Sequence, residues 1–174
     1  MMSRLFLVVF LVLVAAVAYR SFGSPETATG TLTLAQPAPN VGDQAHDFTA
    51  DSVDGKTFNL SDKGICVLAF WSSLNEYSIE SRQTFANLAR TYDNSNVTFV
   101  AVYESGVGTD SGSAPYTVLR DSTGKLASLY NVKRVPRLFL IRDGKVVLVQ
   151  NNYLDEENLK LLKQGIKEAL DKKK

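Results

Sequence analysis

Hydrophobic positions in this chain fall into blocks of changing period, and the order of the blocks predicts the elements. Residues 48–50 and 56–60 are short alternating stretches on either side of Asp54-Gly55, a dipeptide that favours a tight hairpin turn. Ile65–Trp71 follows as an unbroken apolar run, Ile-Cys-Val-Leu-Ala-Phe-Trp, the pattern of a strand buried on both faces. Ile79, Phe85, Leu88, Ala89 and Tyr92 then recur at helical spacing and predict an amphipathic helix over residues 76–93. Asn94 to Asn96 end it, and Val97–Tyr103 reads as a second buried strand.

The second half uses the same signals in a different order. Residues 106–114, rich in Gly and Ser, predict a flexible loop; 116–119 an extended piece; 121–124 a turn; and 125–130 a short helix. Arg137–Arg142 and Lys145–Gln150 flank Asp143-Gly144, a second hairpin signal. Asp155 caps a terminal helix, with Glu156 and Glu157 in its first turn and lysines at its end, which complements the helix dipole. Leu159, Leu162, Ile166 and Ala169 form its buried stripe. Parallel strands joined by a helix, then an antiparallel pair, make an α/β domain over residues 41–174. It has a mixed central sheet flanked by helices and an N-terminal β-hairpin.

Ahead of this domain, Met1-Met2-Ser3-Arg4 is a short basic start followed by an apolar run from Leu5 to Ala18. As a helix that run reaches about 21 Å, short of a bilayer core of about 30 Å, and Ala16-Val17-Ala18 supplies a small-x-small cleavage pattern. Residues 1–18 are a signal peptide or a membrane anchor, with Tyr19 and Phe22 available to extend an anchor at the interface. No cysteine follows the run, which argues against a lipoprotein anchor. Residues 19–40 read as a flexible linker; from Ser21 on they are rich in Ser, Thr, Ala, Gly and Pro and carry one charge, Glu26. Either reading makes the chain exported, to the periplasm or another extracytoplasmic compartment, released or tethered to the inner membrane through residues 5–18.

Composition removes more chemistry than it adds. Lys+Arg is 19 against 18 for Asp+Glu, far from the basic excess of a nucleic-acid binder. The single cysteine, Cys66, cannot form an intramolecular disulfide or run a two-cysteine exchange cycle. With His46 as the only histidine, a His/Cys metal site is not expected either, and no cofactor is implied.

Four segments in order carry a family resemblance. Val41-Gly42-Asp43-Gln44-Ala45-His46-Asp47-Phe48 resembles an opening VGxxAPDF, with His46 in place of proline. The stretch from Asp54 to Asp62 resembles DGKxxxLSD, and Val67-Leu68-Ala69-Phe70-Trp71-Ser72-Ser73 resembles VLxFWAS. Tyr130-Asn131-Val132, Val135-Pro136-Arg137-Leu138-Phe139-Leu140-Ile141 and Asp143-Gly144-Lys145 resemble YxVxxVPxxFLIxxDGK. Together they are similar to the TlpA-like and redoxin (AhpC/TSA-related) branch of the thioredoxin superfamily. This implies a thioredoxin-like fold and a thiol-disulfide oxidoreductase ancestry.

The resemblance breaks where the chemistry would sit. The family continues with Trp-Cys-x-x-Cys; this chain has Leu74-Asn75-Glu76-Tyr77-Ser78, so Asn75 and Ser78 stand at the cysteine positions. Asn75 cannot ionise and an isolated Ser78 alcohol is too weak an acid to replace a thiolate. The peroxiredoxin Thr-x-x-Cys would fall on Ser72 to Asn75 and is absent too. Cys66, inside the apolar strand, reads as core packing. Asn75 and Ser78 are both good N-cap residues.

What the resemblance retains is the surround: Val135-Pro136 at the family's cis-proline, and Glu104 where some cytochrome-maturation members place a glutamate. Lys133, Arg134 and Arg137 bracket Pro136. With Trp71, Glu76 and Tyr77 they outline a groove for an acidic or extended peptide, unless the cations simply pair with Glu76 and Glu80. Two functions remain. One is a non-enzymatic, protein-binding or accessory module of the cell envelope. The other is an oxidoreductase in envelope redox homeostasis or cytochrome maturation that uses Cys66 or a partner's thiol.

Overall fold

The computed structural model describes residues 37–104, 113–151 and 154–171. The signal or anchor segment, most of the linker, most of the 106–114 loop and the terminal lysines 172–174 lie outside the described residues.

Strand β3 (Ile65–Trp71) organises the sheet because all seven of its residues are buried. It pairs in parallel with β4 (Val97–Tyr103), Ile65 opposite Val97 and Trp71 opposite Tyr103. On its other edge it runs antiparallel to β6 (Arg137–Arg142), Phe70 opposite Arg137. β5 (Thr117–Arg120) extends the β4 side and β7 (Lys145–Gln150) the β6 side, giving a five-stranded mixed sheet in the order β5-β4-β3-β6-β7. The turn between β6 and β7 holds Asp143 and Gly144 at φ of 48° and 76°, the left-handed pair that a two-residue hairpin turn of this hand requires. A separate hairpin pairs β1 (Thr49–Asp51) with β2 (Thr57–Asn59).

Alternation along the strands divides the core between two faces. Val67, Ala69, Trp71, Phe99, Ala101 and Leu138 face helix α1 (Glu76–Thr91) and helix α3 (Glu156–Asp171), which contribute Phe85, Leu88, Leu162 and Ile166. Cys66, Leu68, Phe70, Val102 and Phe139 face the other way, against Phe48 and Phe58 near the hairpin and Leu126 of helix α2 (Lys125–Leu129). Here Tyr130, fully buried, donates its hydroxyl to the His46 carbonyl at 2.7 Å and pins the N-terminal segment to the domain. At the end of the expected linker Pro39 is buried and the Pro37 carbonyl lies 3.3 Å from His46 Nε2, while Pro37 and Asn40 are exposed.

Helix positions follow the sequence pattern in the main: Tyr92 and Leu159, expected in buried stripes, are half-buried, and one residue departs outright. Ile79, assigned above to the buried stripe of α1, is 44% exposed. It precedes Phe85 by six residues, which at 3.6 residues per turn places it about 120° around the helix from the buried line. Asp155 caps α3 as expected, its Oδ1 accepting from Asn158 N–H at 2.8 Å. Among the described residues no helix is long and apolar enough to cross a membrane.

Phe85 is the densest contact on the α1 face, with Trp71, Phe99 and Tyr116 rings edge-on at 5.4, 5.4 and 5.1 Å. Phe85→Ala is expected to lower unfolding stability by about 3–5 kcal/mol through the cavity it leaves. Denaturant titration followed by circular dichroism measures it, and a loss under about 1 kcal/mol would show that the α1 face relaxes around the hole.

Candidate functional site

Residues that leave β3 must turn upward and back to start α1, and the hydrogen bonds of that turn occupy the degenerate motif. Asn75 is the N-cap of α1, extended at φ −105° and ψ 121°. Its Oδ1 accepts from the Ser78 N–H at 2.8 Å and from the Ser78 hydroxyl at 3.0 Å. Ser78 Oγ in turn accepts from the Ser72 N–H at 3.3 Å, and Ser72 Oγ accepts from the Leu74 N–H at 3.2 Å. Asn75 and Ser78 are therefore bound to each other and to the strand end, with Ser78 buried. An uncharged amide oxygen satisfies helix donors that an anion could otherwise occupy.

Around that turn the sheet brings in the surrounding residues. Glu104 follows β4, its N–H donating to the Trp71 carbonyl at 3.1 Å. Burial first, and the neighbouring Asp121 charge second, push its carboxyl pKa above the usual range. Asp121 is itself buried and accepts from the Ala127 N–H at 2.8 Å, anchoring α2 beneath the site. Val135-Pro136 is a cis peptide bond leading directly into β6, with Pro136 buried.

Of the expected groove residues, Trp71 does not reach the surface and Arg137 does so only in part. Trp71 is 1% exposed: it is the last inward residue of β3 on the α1 face, packed edge-on to Phe85, so it supports the site from below. Arg137 is only half-exposed, and its guanidinium lies over the Phe139 ring at 5.1 Å. Positions 137 and 139 share the strand face directed at α2, away from α1. Lys133 and Arg134 remain exposed. None of these three cations forms an ion pair with Glu76 or Glu80 among the described residues.

The sequence pattern does not place Leu74 or Ile79 at the surface, whereas Tyr77 is expected there. Leu74 is 86% exposed, Tyr77 58% and Ile79 44%, so three of the five large hydrophobic residues exposed among the described residues fall within six positions of one another in sequence. Their sequence signal was a leucine in the turn before a helix and an isoleucine off the buried stripe. Cys66, in contrast, is fully buried, and desolvation pushes its thiol pKa up to about 12. Neither its access nor its acidity suits thiolate chemistry. The described residues contain no His/Cys/Asp/Glu cluster fit to hold a metal.

Two substitutions test this geometry. Asn75→Ala removes the N-cap and leaves Ser78 without its acceptor; a loss of about 0.5–2 kcal/mol in unfolding stability is expected, recovered largely by Asn75→Asp. Glu104 ionises less readily when folded than when unfolded, so its charge opposes folding at neutral pH and not below the unfolded glutamate pKa of about 4.3. Glu104→Gln is therefore expected to raise the thermal midpoint at pH 7 and to leave it unchanged at about pH 3. Equal shifts at both values would show that the carboxyl titrates normally.

The profile of the AhpC/TSA family matches residues 41–149. No curated protein sequence matches the chain. Among solved structures it is similar to a Chlorobium tepidum protein assigned as the thiol:disulfide interchange protein DsbE. They share 30% identity over 76% of this chain and 99% of that one, at a TM-score of 0.68. The exposed lipoprotein thioredoxin Etrx1 of Streptococcus pneumoniae is 27% identical over 68% of this chain and 99% of its own, at 0.55. A Bacteroides thetaiotaomicron protein assigned as a protein disulfide isomerase, 24% identical over 76% and 91%, shares the fold at 0.65. With one cysteine in the whole sequence and Asn75 and Ser78 at the motif, the chain lacks Cys-x-x-Cys. It is a thioredoxin-fold protein and belongs to the AhpC/TSA family.

Proposed function

We propose that this protein is an exported, thioredoxin-like accessory module that binds an extended segment of a protein partner at the start of α1, without exchanging disulfides itself. The observation that carries the reading is the replacement of a would-be nucleophile pair by a neutral, mutually hydrogen-bonded cap beside exposed Leu74, Tyr77 and Ile79. Apolar side chains cost free energy in water, and exposed Leu74 and Tyr77 at the start of α1, with exposed Lys133 and Arg134 in the segment that precedes the cis-proline, suit a partner with apolar anchors and acidic flanks. Export is supported by the basic-then-apolar start of the chain and by its likeness to an exposed lipoprotein thioredoxin.

The second reading, an envelope thiol-disulfide oxidoreductase, draws on the likeness to a protein named as DsbE. Against it stands the fully buried Cys66 with its raised pKa. An insulin-reduction assay separates the two: the purified protein is expected to add nothing to the rate of the reductant, and Cys66→Ser to change nothing. Turnover that disappears with Cys66→Ser would establish the oxidoreductase. The binding reading is checked with a photo-crosslinking residue at position 77 in cells. One discrete adduct is expected, reduced about tenfold or more by Leu74→Asp and by Arg134→Glu. An adduct pattern indifferent to both changes would remove the surface from consideration.

A further inference from the structure

On the same face of the sheet, but at the far end of α1, lies a groove that the proposed partner surface does not use. It runs along one flank of α3 and has a volume of about 570 Å³. Tyr92, Leu159 and Leu170, all half-buried against the core, form its floor. Lys160, Lys163 and Lys167, all exposed, form its rim. None of the three lysines has an ion-pair partner among the described residues. Acidic residues line the groove only at its two ends, Glu156 and Asp171, one turn from Lys160 and Lys167 respectively. Lys163 has no acid within a turn on either side; its neighbours at that spacing are Leu159, Lys160, Ile166 and Lys167. Like charges one turn apart are mutually unfavourable, and an anion over Lys163 relieves both pairs.

The lining extends from Glu156 to Asp171, about 22 Å along the helix axis at 1.5 Å per residue, long enough for one extended chain. An α-helix about 10 Å across laid along it would meet only three half-buried apolar side chains over that length. A polypeptide laid there would press its N–H and C=O groups against leucine, tyrosine and lysine methylenes, beside a helix whose own backbone groups are already paired. A hydrocarbon chain brings no such groups. A flat bilayer surface cannot occupy the concavity.

We infer that this groove binds a free, single-chain anionic amphiphile, an acyl chain with a carboxylate or phosphate head. The tail lies on Tyr92, Leu159 and Leu170, and the head group pairs with Lys163 and an adjacent lysine. This inference is independent of the partner surface at the start of α1.

Calorimetric titration of the full chain with sodium dodecanoate, kept below its micellar concentration, tests it. A saturable one-site isotherm is expected, weakened about tenfold or more by Lys163→Glu and less by Lys163→Gln. Acetate, which has the head without the tail, and dodecyltrimethylammonium, which has the tail with a cationic head, are expected not to bind at the same concentrations. The apolar segment of residues 5–18 can take up amphiphile without involving Lys163, so only the variant-sensitive heat reports the groove. Circular dichroism melting of the Lys163 variants, which alter an exposed side chain, confirms that they fold. Dodecanoate binding unchanged in Lys163→Glu would overturn the inference, as would displacement by acetate, which means a simple anion site. Binding to phosphatidylglycerol vesicles with none to monomeric dodecanoate would overturn it in favour of a membrane-surface helix.

Discussion

All seven side chains of β3 are buried, and a strand in that state requires a neighbour on each edge and apolar cover on each face. β4 and β6 supply the edges; α1 and α3 cover one face, and α2 with the hairpin covers the other. The chain leaving Trp71 has one route to provide that cover, which is to turn out of the sheet and return as α1 with Phe85 over Trp71 and Phe99. The start of α1 therefore stands above the ends of β3 and β4, close to Glu104 and to the cis bond that precedes β6. The location of the candidate site is a consequence of burying β3.

The same constraint divides the reactive residue types between core and surface. Cys66 belongs to the face covered by the hairpin and α2, where desolvation opposes the thiolate. At the helix start the exposed donors do need an acceptor, and in a thiol enzyme that need lowers a cysteine pKa. Here Asn75 Oδ1 meets it as a neutral group, and Ser78 is spent on the same amide. The helix start is therefore capped without a negative charge.

Element order and hairpins were legible in the sequence because they rest on short-range signals. Asp143-Gly144 specifies its turn through two left-handed residues, and the apolar run of β3 has one reading at that length. Depth was not legible. Trp71 ends an apolar run, and only the packing of Phe85 reveals that it faces inward. Arg137 sits next to Pro136 in sequence, yet strand alternation groups it with Phe139, two residues on and directed toward α2. Leu74 lies in a turn where no period applies, and Ile79 was misplaced because spacing of six fits a buried stripe less well than spacing of three, four or seven. These errors share one cause: periodicity fixes which face a residue takes within an element and leaves open which layer covers that face.

Helix α1 joins the two proposed surfaces at its opposite ends, Leu74 to Ile79 at the start and Tyr92 just beyond the last turn, about 24 Å apart over sixteen residues. Between them the rings of Trp71, Phe85, Phe99 and Tyr92 follow one another at 5.4, 5.4 and 6.2 Å without an intervening gap. Close-packed aromatic contacts of this kind resist displacement more than they transmit it, since shifting one ring forces off-rotamer positions on the next. Ser81 adds a buried tie, its Oγ accepting from the Leu154 N–H at 3.0 Å and holding the approach to α3 against the middle of α1. A helix fixed along its length presents both surfaces preformed. Occupants at either end then meet a rigid face and pay little to order it, which is the condition under which small patches of three or four apolar side chains bind at all.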